Sequence, residues 1–176
     1  GNNEGCTGDP ARRSGNEYLF EMLASENAQT FKNNAIRKVI THCPHCLNSL
    51  KNEYPQFGTH LEVIHHSELL QKLIKDGKIS PKQDKQSNIV FHDSCYLGRH
   101  NNIYEAPREV LNHAGGQIKE VEHSRETGTC CGAGGARFLL EENIGTRMSH
   151  HRLDELMVNE PDTIAVSCPF CVLMLE

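Results

Sequence analysis

The chain has 176 residues, a formal net charge of −5, 37% hydrophobic and 23% charged residues, eight cysteines, eleven histidines and no tryptophan. This composition excludes a disordered chain, mild acidity without a clustered basic face excludes electrostatic capture of nucleic acid, and no apolar run reaches the 18 residues of a membrane span. The cysteine content is well below that of a small secreted disulfide scaffold, and the opening Gly1-Asn2-Asn3-Glu4-Gly5-Cys6 has neither the basic nor the apolar region of a signal peptide.

In chain order, Cys6 precedes an expected helix over residues 16–33, with Leu19, Met22 and Leu23 as its apolar stripe. Residues 35–41, short and rich in Ile and Val, read as a strand. Cys43-Pro44-His45-Cys46 then opens a helix over 44–54, with Pro44 at the first helical position, where a missing N–H costs nothing. A strand at 61–65 and a helix at 67–76 follow, and the polar stretch 77–87 reads as a linker. Beyond it come a strand at 88–92 just before Cys95, a helix at 104–113, a strand at 117–121 and Cys130-Cys131 ahead of a helix over 136–159. A strand at 163–167 and Cys168-Pro169-Phe170-Cys171, opening a helix from Pro169 onward, complete the chain. Short strands alternating with helices predict an α/β fold of two pseudo-repeated halves, each a small, mostly parallel sheet flanked by helices, the first half incomplete.

The two halves are related by a repeat. Cys6 and Cys131, Cys43 and Cys168, and Cys46 and Cys171 are each separated by the same 125 positions, and the flanks agree: Val39 and Ile40 fall on Ile164 and Ala165, Leu47 and Leu50 on Val172 and Leu175. The same offset puts the partner of Cys130 at Gly5 and that of Cys95 before Gly1. The chain is therefore expected to be a piece of a longer protein: a truncated first repeat over 1–76, the linker 77–87 and a complete second repeat over 88–176. The thiols divide into a full set, Cys95, Cys130, Cys131, Cys168 and Cys171, and a short one, Cys6, Cys43 and Cys46.

Helix N-termini favour thiolate over thiol, and a parallel α/β fold gathers ligands at the carboxyl ends of its strands. All the thiols are thus expected at one sheet edge. Five exceed what a tetrahedral zinc ion or a simple cubane cluster takes, and an adjacent Cys-Cys pair suits bridging within a larger iron cluster. Gly132-Ala133-Gly134-Gly135 lets backbone N–H groups approach it. Together these features favour an iron–sulfur site. Zinc on four thiols, buried free thiols and disulfides are the other readings, and Cys43-Pro44-His45-Cys46 also has the form of a thiol–disulfide exchange site. Gly132 to Gly135 does not match a dinucleotide fingerprint. His92 and His100 flank Cys95 as candidate hydrogen-bond donors or proton carriers, and Arg99, Arg12 and Arg13 are candidates for screening cluster charge or meeting an acidic partner. The pairs His65-His66 and His150-His151 are expected to face different directions at the surface or core edge.

The C…CC…CxxC pattern, with gaps in the thirties and Gly after the double cysteine, resembles the cysteine-rich CCG domain of the heterodisulfide reductase-like family of Fe–S oxidoreductases. Cys6-Thr7-Gly8-Asp9-Pro10-Ala11-Arg12-Arg13 with Gly15-Asn16-Glu17-Tyr18-Leu19-Phe20, His92-Asp93-Ser94-Cys95-Tyr96-Leu97-Gly98-Arg99-His100, and Cys130-Cys131-Gly132-Ala133-Gly134-Gly135 are similar to members that work with electron-transfer flavoprotein. The resemblance implies a noncubane [4Fe–4S] cluster on Cys95, Cys130, Cys131, Cys168 and Cys171, surrounded by Gly132, Gly134, Gly135, His92, Arg99 and His100. Cys6, Cys43 and Cys46 form a second candidate metal set, with Gly5 where the family has one of its paired cysteines. It further implies an enzyme module moving electrons between electron-transfer flavoprotein, or another redox protein such as a ferredoxin, and a quinone or disulfide acceptor. Such a module is cytoplasmic or at the cytoplasmic membrane face, reaching the membrane only through segments outside this chain. The alternative function is a zinc-stabilised interaction module without redox activity.

Overall fold

The computed structural model describes residues 5–83 and 87–176; residues 84–86 of the expected linker lie outside the described residues. All five expected strands form: β1 (Lys38–Thr41), β2 (Glu62–His65), β3 (Ser87–His92), β4 (Gly116–Ile118) and β5 (Thr163–Val166). β1 and β2 make a two-stranded sheet; β4, β3 and β5, in that order, make a second, and every pairing is parallel. Parallel neighbours need crossover connections, supplied among α1 (Asp9–Arg13), α2 (Glu17–Asn33), α3 (Pro44–Asn48), α4 (His66–Lys75), α5 (Glu105–His113), α6 (Met148–Met157) and α7 (Pro169–Leu175). The fold is α/β.

The sequence repeat is a repeated strand–helix unit. β1 and β5 occupy equivalent positions, as do the starts of α3 and α7. Cys43 and Cys168 are the extended N-cap residues, Pro44 and Pro169 follow at the first helical positions, and the same first helical bond closes in each copy, Leu47 N–H to Cys43 C=O at 2.9 Å and Val172 N–H to Cys168 C=O at 3.0 Å. The halves also share a core: Phe20, Leu47 and Tyr54 pack with Leu97, Ile103 and Ala106. Behind β3 a smaller cluster joins Val90, Val121 and Leu156. Among the described residues no helix is long and apolar enough to cross a membrane.

Four local expectations are corrected. The helix expected over 136–159 shrinks to α6, because Ala136 and Gly145 are left-handed, at φ 60° and 70°, and an α-helix cannot run through such residues. Cys130-Cys131 consequently leads into a turn and a short 3₁₀ segment, Arg137–Leu139. The helix expected over 44–54 is α-helical only to Asn48, widens into a π turn over Ser49–Glu53 and ends in 3₁₀ form at Tyr54–Phe57, where Pro55 has no N–H to continue the ladder. The buried face of α2 is Phe20, Ala24, Asn27, Ala28 and Phe31, leaving Leu19 and Met22 exposed. Edge-on contacts of Phe20 with Phe57, at 5.8 Å between centroids, help decide that rotation. Finally, the His65 and His66 rings lie only 4.3 Å apart, because the strand ends at His65 and α4 begins at His66; buried His65 caps α4 by accepting the Ser67 N–H.

Candidate metal centre

Cys95 sits in the turn after β3, and that turn is anchored by charge. The Asp93 carboxylate accepts two bonds from the Arg108 guanidinium of α5, at 2.7 and 2.8 Å, and one from the Arg125 N–H at 2.7 Å. Arg108 also bonds Glu120, at 2.6 and 2.9 Å, and lies over the Phe91 ring. These carboxylates push the Arg108 pKa above its ordinary value although burial works against it. Next in the turn, the Ser94 hydroxyl lies 3.5 Å from Cys171 Sγ.

Cys130 and Cys131 enter a turn completed by Gly132 at φ 91°, whose N–H donates to Cys130 Sγ at 3.3 Å. A Cβ there would also lie 3.3 Å from Met148 Cβ, so this position requires glycine. Gly134 and Gly135 are less confined, each with room for a Cβ. Cys168 and Cys171 flank the start of α7. Cys131, Cys168 and Cys171 are 2–4% exposed, walled by Phe138, Val166, Phe170, Met174 and Leu175. All eight cysteines are free thiols.

The five sulfurs of the full set form a row of neighbours close enough to perturb one another's protonation: Cys95 with Cys130, Cys130 with Cys131, Cys131 with Cys171, and Cys171 with Cys168. Protons are shared unevenly along it. Cys131 and Cys95, opposed by burial and reinforced by the Gly132 N–H, hold the Cys130 thiol well below its ordinary value. Cys171 and His45 draw Cys168 down to about 5 against burial. In answer, Cys130 pushes Cys131 up to about 11, and the same sulfur with burial raises Cys95 well above the thiol range. Cys171 is raised by Cys131 and Cys168. Adjacent thiolates repel, so without a cation only part of the row ionises near neutrality. Buried, reduced, soft sulfur donors of this kind fit a thiolate-bound iron–sulfur group, and metal binding would remove the remaining protons.

His92 is buried, and one of its ring nitrogens lies within 4.8 Å of the Cys131 and Cys171 sulfurs. Burial, then the Arg152 cation, holds its pKa down to about 4. His100, exposed, stacks on Tyr96 at 4.3 Å, and Arg99 donates to the Gly128 carbonyl at 2.8 Å. Arg12 and Arg13 are engaged within the chain, Arg12 by Glu17 and Glu53, Arg13 by Asp9 and Glu53.

Of the short set, Cys43 and Cys46 are neighbouring free thiols; Cys43 draws Cys46 down to about 7 against burial, helped by the Thr7 hydroxyl at 3.5 Å. Cys6 stays exposed, accepting from the Gly8 N–H at 3.5 Å. His45 ties the two motifs together. Its Nδ1 lies 2.7 Å from Asp9 Oδ2, it interacts electrostatically with Cys168, and its ring stacks on Tyr96 at 4.0 Å and meets Phe170 edge-on at 4.7 Å. Burial works against its protonation, but Asp9 and Cys168 outweigh it and raise the pKa to about 9. His45 and Phe170 are equivalent positions of the repeat, so the duplicated motifs face one another.

Sequence reasoning missed Arg108, Glu120 and Arg152. Asp93 and Ser94 lie inside the motif around Cys95, but an arginine on a helix reads as a solvated charge and carries no local signal of burial.

The profile of the cysteine-rich domain, CCG, matches residues 2–51 and 89–176. The EtfAB:quinone oxidoreductase of Syntrophomonas wolfei is 47% identical over 182 residues, covering 99% of this chain and 26% of that protein. A probable iron-sulfur-binding oxidoreductase, FadF, of Bacillus subtilis is 47% identical over 176 residues, covering 99% of this chain and 25% of that protein. One component of the dihydromethanophenazine:CoB--CoM heterodisulfide reductase of Methanosarcina mazei is 32% identical over 178 residues, covering 97% of this chain and 44% of that protein. The chain thus spans about a quarter of the length of the first two relatives.

Proposed function

Because the chain belongs to the cysteine-rich CCG-domain family, we propose that it is the cluster-holding, electron-transferring module of a larger iron–sulfur oxidoreductase. Its ligands are Cys95, Cys130, Cys131, Cys168 and Cys171, holding a noncubane [4Fe–4S] cluster in the second of two repeats, 1–76 and 88–176. The observation that carries this reading is the row of five free, neighbouring thiols, three of them almost fully buried. Bound there, such a cluster exchanges electrons at a potential set by its ligands, nearby hydrogen bonds and burial. The chain's own residues supply those settings: Gly132 N–H bonds Cys130, the Ser94 hydroxyl meets Cys171, the charge of His45 favours the Cys168 thiolate, and Phe138 and Phe170 help to exclude water. Electron-transfer flavoprotein or a ferredoxin-type protein is the proposed donor or acceptor on one side, and a quinone or disulfide on the other. Cys6, Cys43 and Cys46 are a second candidate metal set, two of whose sulfurs still meet.

The compact trio of His92, Cys131 and Cys171 favours one competing reading, a single structural zinc ion. Anaerobic purification separates the two. About four iron atoms with matching sulfide per chain are expected, and a folded, colourless chain carrying zinc and no iron refutes the proposal. Cys131→Ser abolishes the cluster signal, whereas Cys6→Ser keeps most of it; equal loss from both refutes the ligand assignment.

A further inference from the structure

The nearness of His92 to two ligand sulfurs admits two roles, metal ligand or hydrogen-bond donor, and the fully buried Arg152 distinguishes them. Arg152, on α6, is 0% exposed. Its Nε donates to His92 Nδ1 at 3.1 Å, and its Nη1 donates to the His123 carbonyl at 3.0 Å and to Glu155 Oε2 at 2.8 Å. Its Nη2 is buried without a hydrogen-bond partner among the described residues. Glu155 in turn receives the Thr129 hydroxyl at 3.0 Å and lies 3.1 Å from His123 Nδ1, so the guanidinium is held from its far side.

A guanidinium has donors only and stays protonated in proteins. The contact between Arg152 Nε and His92 Nδ1 therefore has a single polarity, with His92 accepting. A neutral imidazole that accepts at Nδ1 carries its proton on Nε2. Such a ring has no free lone pair for a metal. Ligation through Nδ1 requires Arg152 to withdraw, and ligation through Nε2 requires that proton to leave. Hydrogen-bonded outer residues of this kind orient a metal site and tune it without binding it.

We propose that Arg152 is a positioning residue that fixes His92 in its Nε2–H form, making His92 a hydrogen-bond donor to the sulfur of the metal centre and not one of its ligands. This rests on the five-thiol cluster proposed above. A donor to sulfur beside a buried cation favours the more negative, reduced state, so the pair raises the reduction potential.

The test uses the cluster-loaded full chain and its His92→Phe, Arg152→Lys and Arg152→Met variants, followed by redox titration and by pulsed EPR in H₂O and in D₂O. In the unsubstituted chain we expect an exchangeable proton coupled to the cluster and no directly bound nitrogen. His92→Phe keeps its iron, loses that proton signal and disfavours reduction by about tenfold, or 59 mV for a one-electron couple. Arg152→Lys, still an obligate donor, keeps the proton signal; Arg152→Met loses it. Because emptying this buried position can unfold the chain, His92→Phe tests the donor on its own; a folded, iron-loaded Arg152→Met chain with an unchanged proton signal overturns the role of Arg152, as does loss of that signal in Arg152→Lys. A bound-nitrogen coupling that disappears in His92→Phe overturns the proposal, as does an unchanged proton signal and potential in that variant. Failure of the unsubstituted chain to bind iron overturns the five-thiol reading itself, and the proposal with it.

Discussion

Arg108→Met tests whether the Cys95 turn is held by the buried ion network. The Arg108 and Asp93 side chains are both 4% exposed, whereas Glu120 is 35% exposed. Removing one partner of a buried pair costs about 3–5 kcal/mol, because the other charge is left in a poor environment. Asp93 keeps the Arg125 N–H, and the methionine can retain the stem's packing on Phe91, so the lower end, about 3 kcal/mol, is expected. For a chain of this length that is a fall of about 6–12 °C in melting temperature. Glu120→Gln, at the partly solvated end of the network, should cost less than about 1 kcal/mol. Thermal and urea unfolding followed by circular dichroism, under reductant, measures both, and iron per chain reports whether Cys95 is still presented. Arg108→Met and Glu120→Gln destabilising equally would refute the reasoning, since burial would then not govern the cost.

Acid should destabilise the metal-free chain before its carboxylates titrate. Burial, then the neighbouring His66 or Arg152, holds His65 and His92 at about 4, against 6.5 when unfolded. Their contribution is full above pH 6.5 and is lost as pH falls from 6.5 towards 4, at about 1.4 kcal/mol per pH unit for each group. His45, raised to about 9, acts oppositely: its contribution is full below pH 6.5 and is lost as pH rises through 9. In urea midpoints between pH 6.5 and 4, His65→Gln should lower the acid slope by about one proton; an unchanged slope counts against buried neutral His65. Gly132→Ala forces a side chain into a left-handed position and against Met148, costing about 1–2 kcal/mol and loosening the N–H bond to Cys130. Gly134→Ala has open space and serves as the control, so iron content and melting temperature that fall equally in both would contradict the assignment.

Much of the fold was legible because it repeats or is locally patterned. The Ile- and Val-rich runs became β1 to β5, and the two Cys-Pro-x-Cys motifs became helix starts since an extended cysteine followed by proline leaves few alternatives. The rotation of α2 was less legible: Leu19 and Met22 are as apolar as Phe20, and only the position of Phe57 and Tyr54 across the core decides which face is buried. Similarly, residues 136–147 offered a plausible helix until backbone reversals at Ala136 and Gly145 broke it.

The same division applies to the candidate metal centre. Cysteine spacing by itself determined which thiols form the full set and which the short one, because covalent order and the 125-residue repeat are properties of the chain. Tertiary structure alone decided what surrounds those thiols. Asp93 reaches Arg108, Arg152 reaches His92 across 60 positions, and His45 of the first motif meets Cys168 of the second. Such pairings depend on which polar groups are left buried together once the sheets and helices have packed, and a buried group must find its partner wherever the fold puts one.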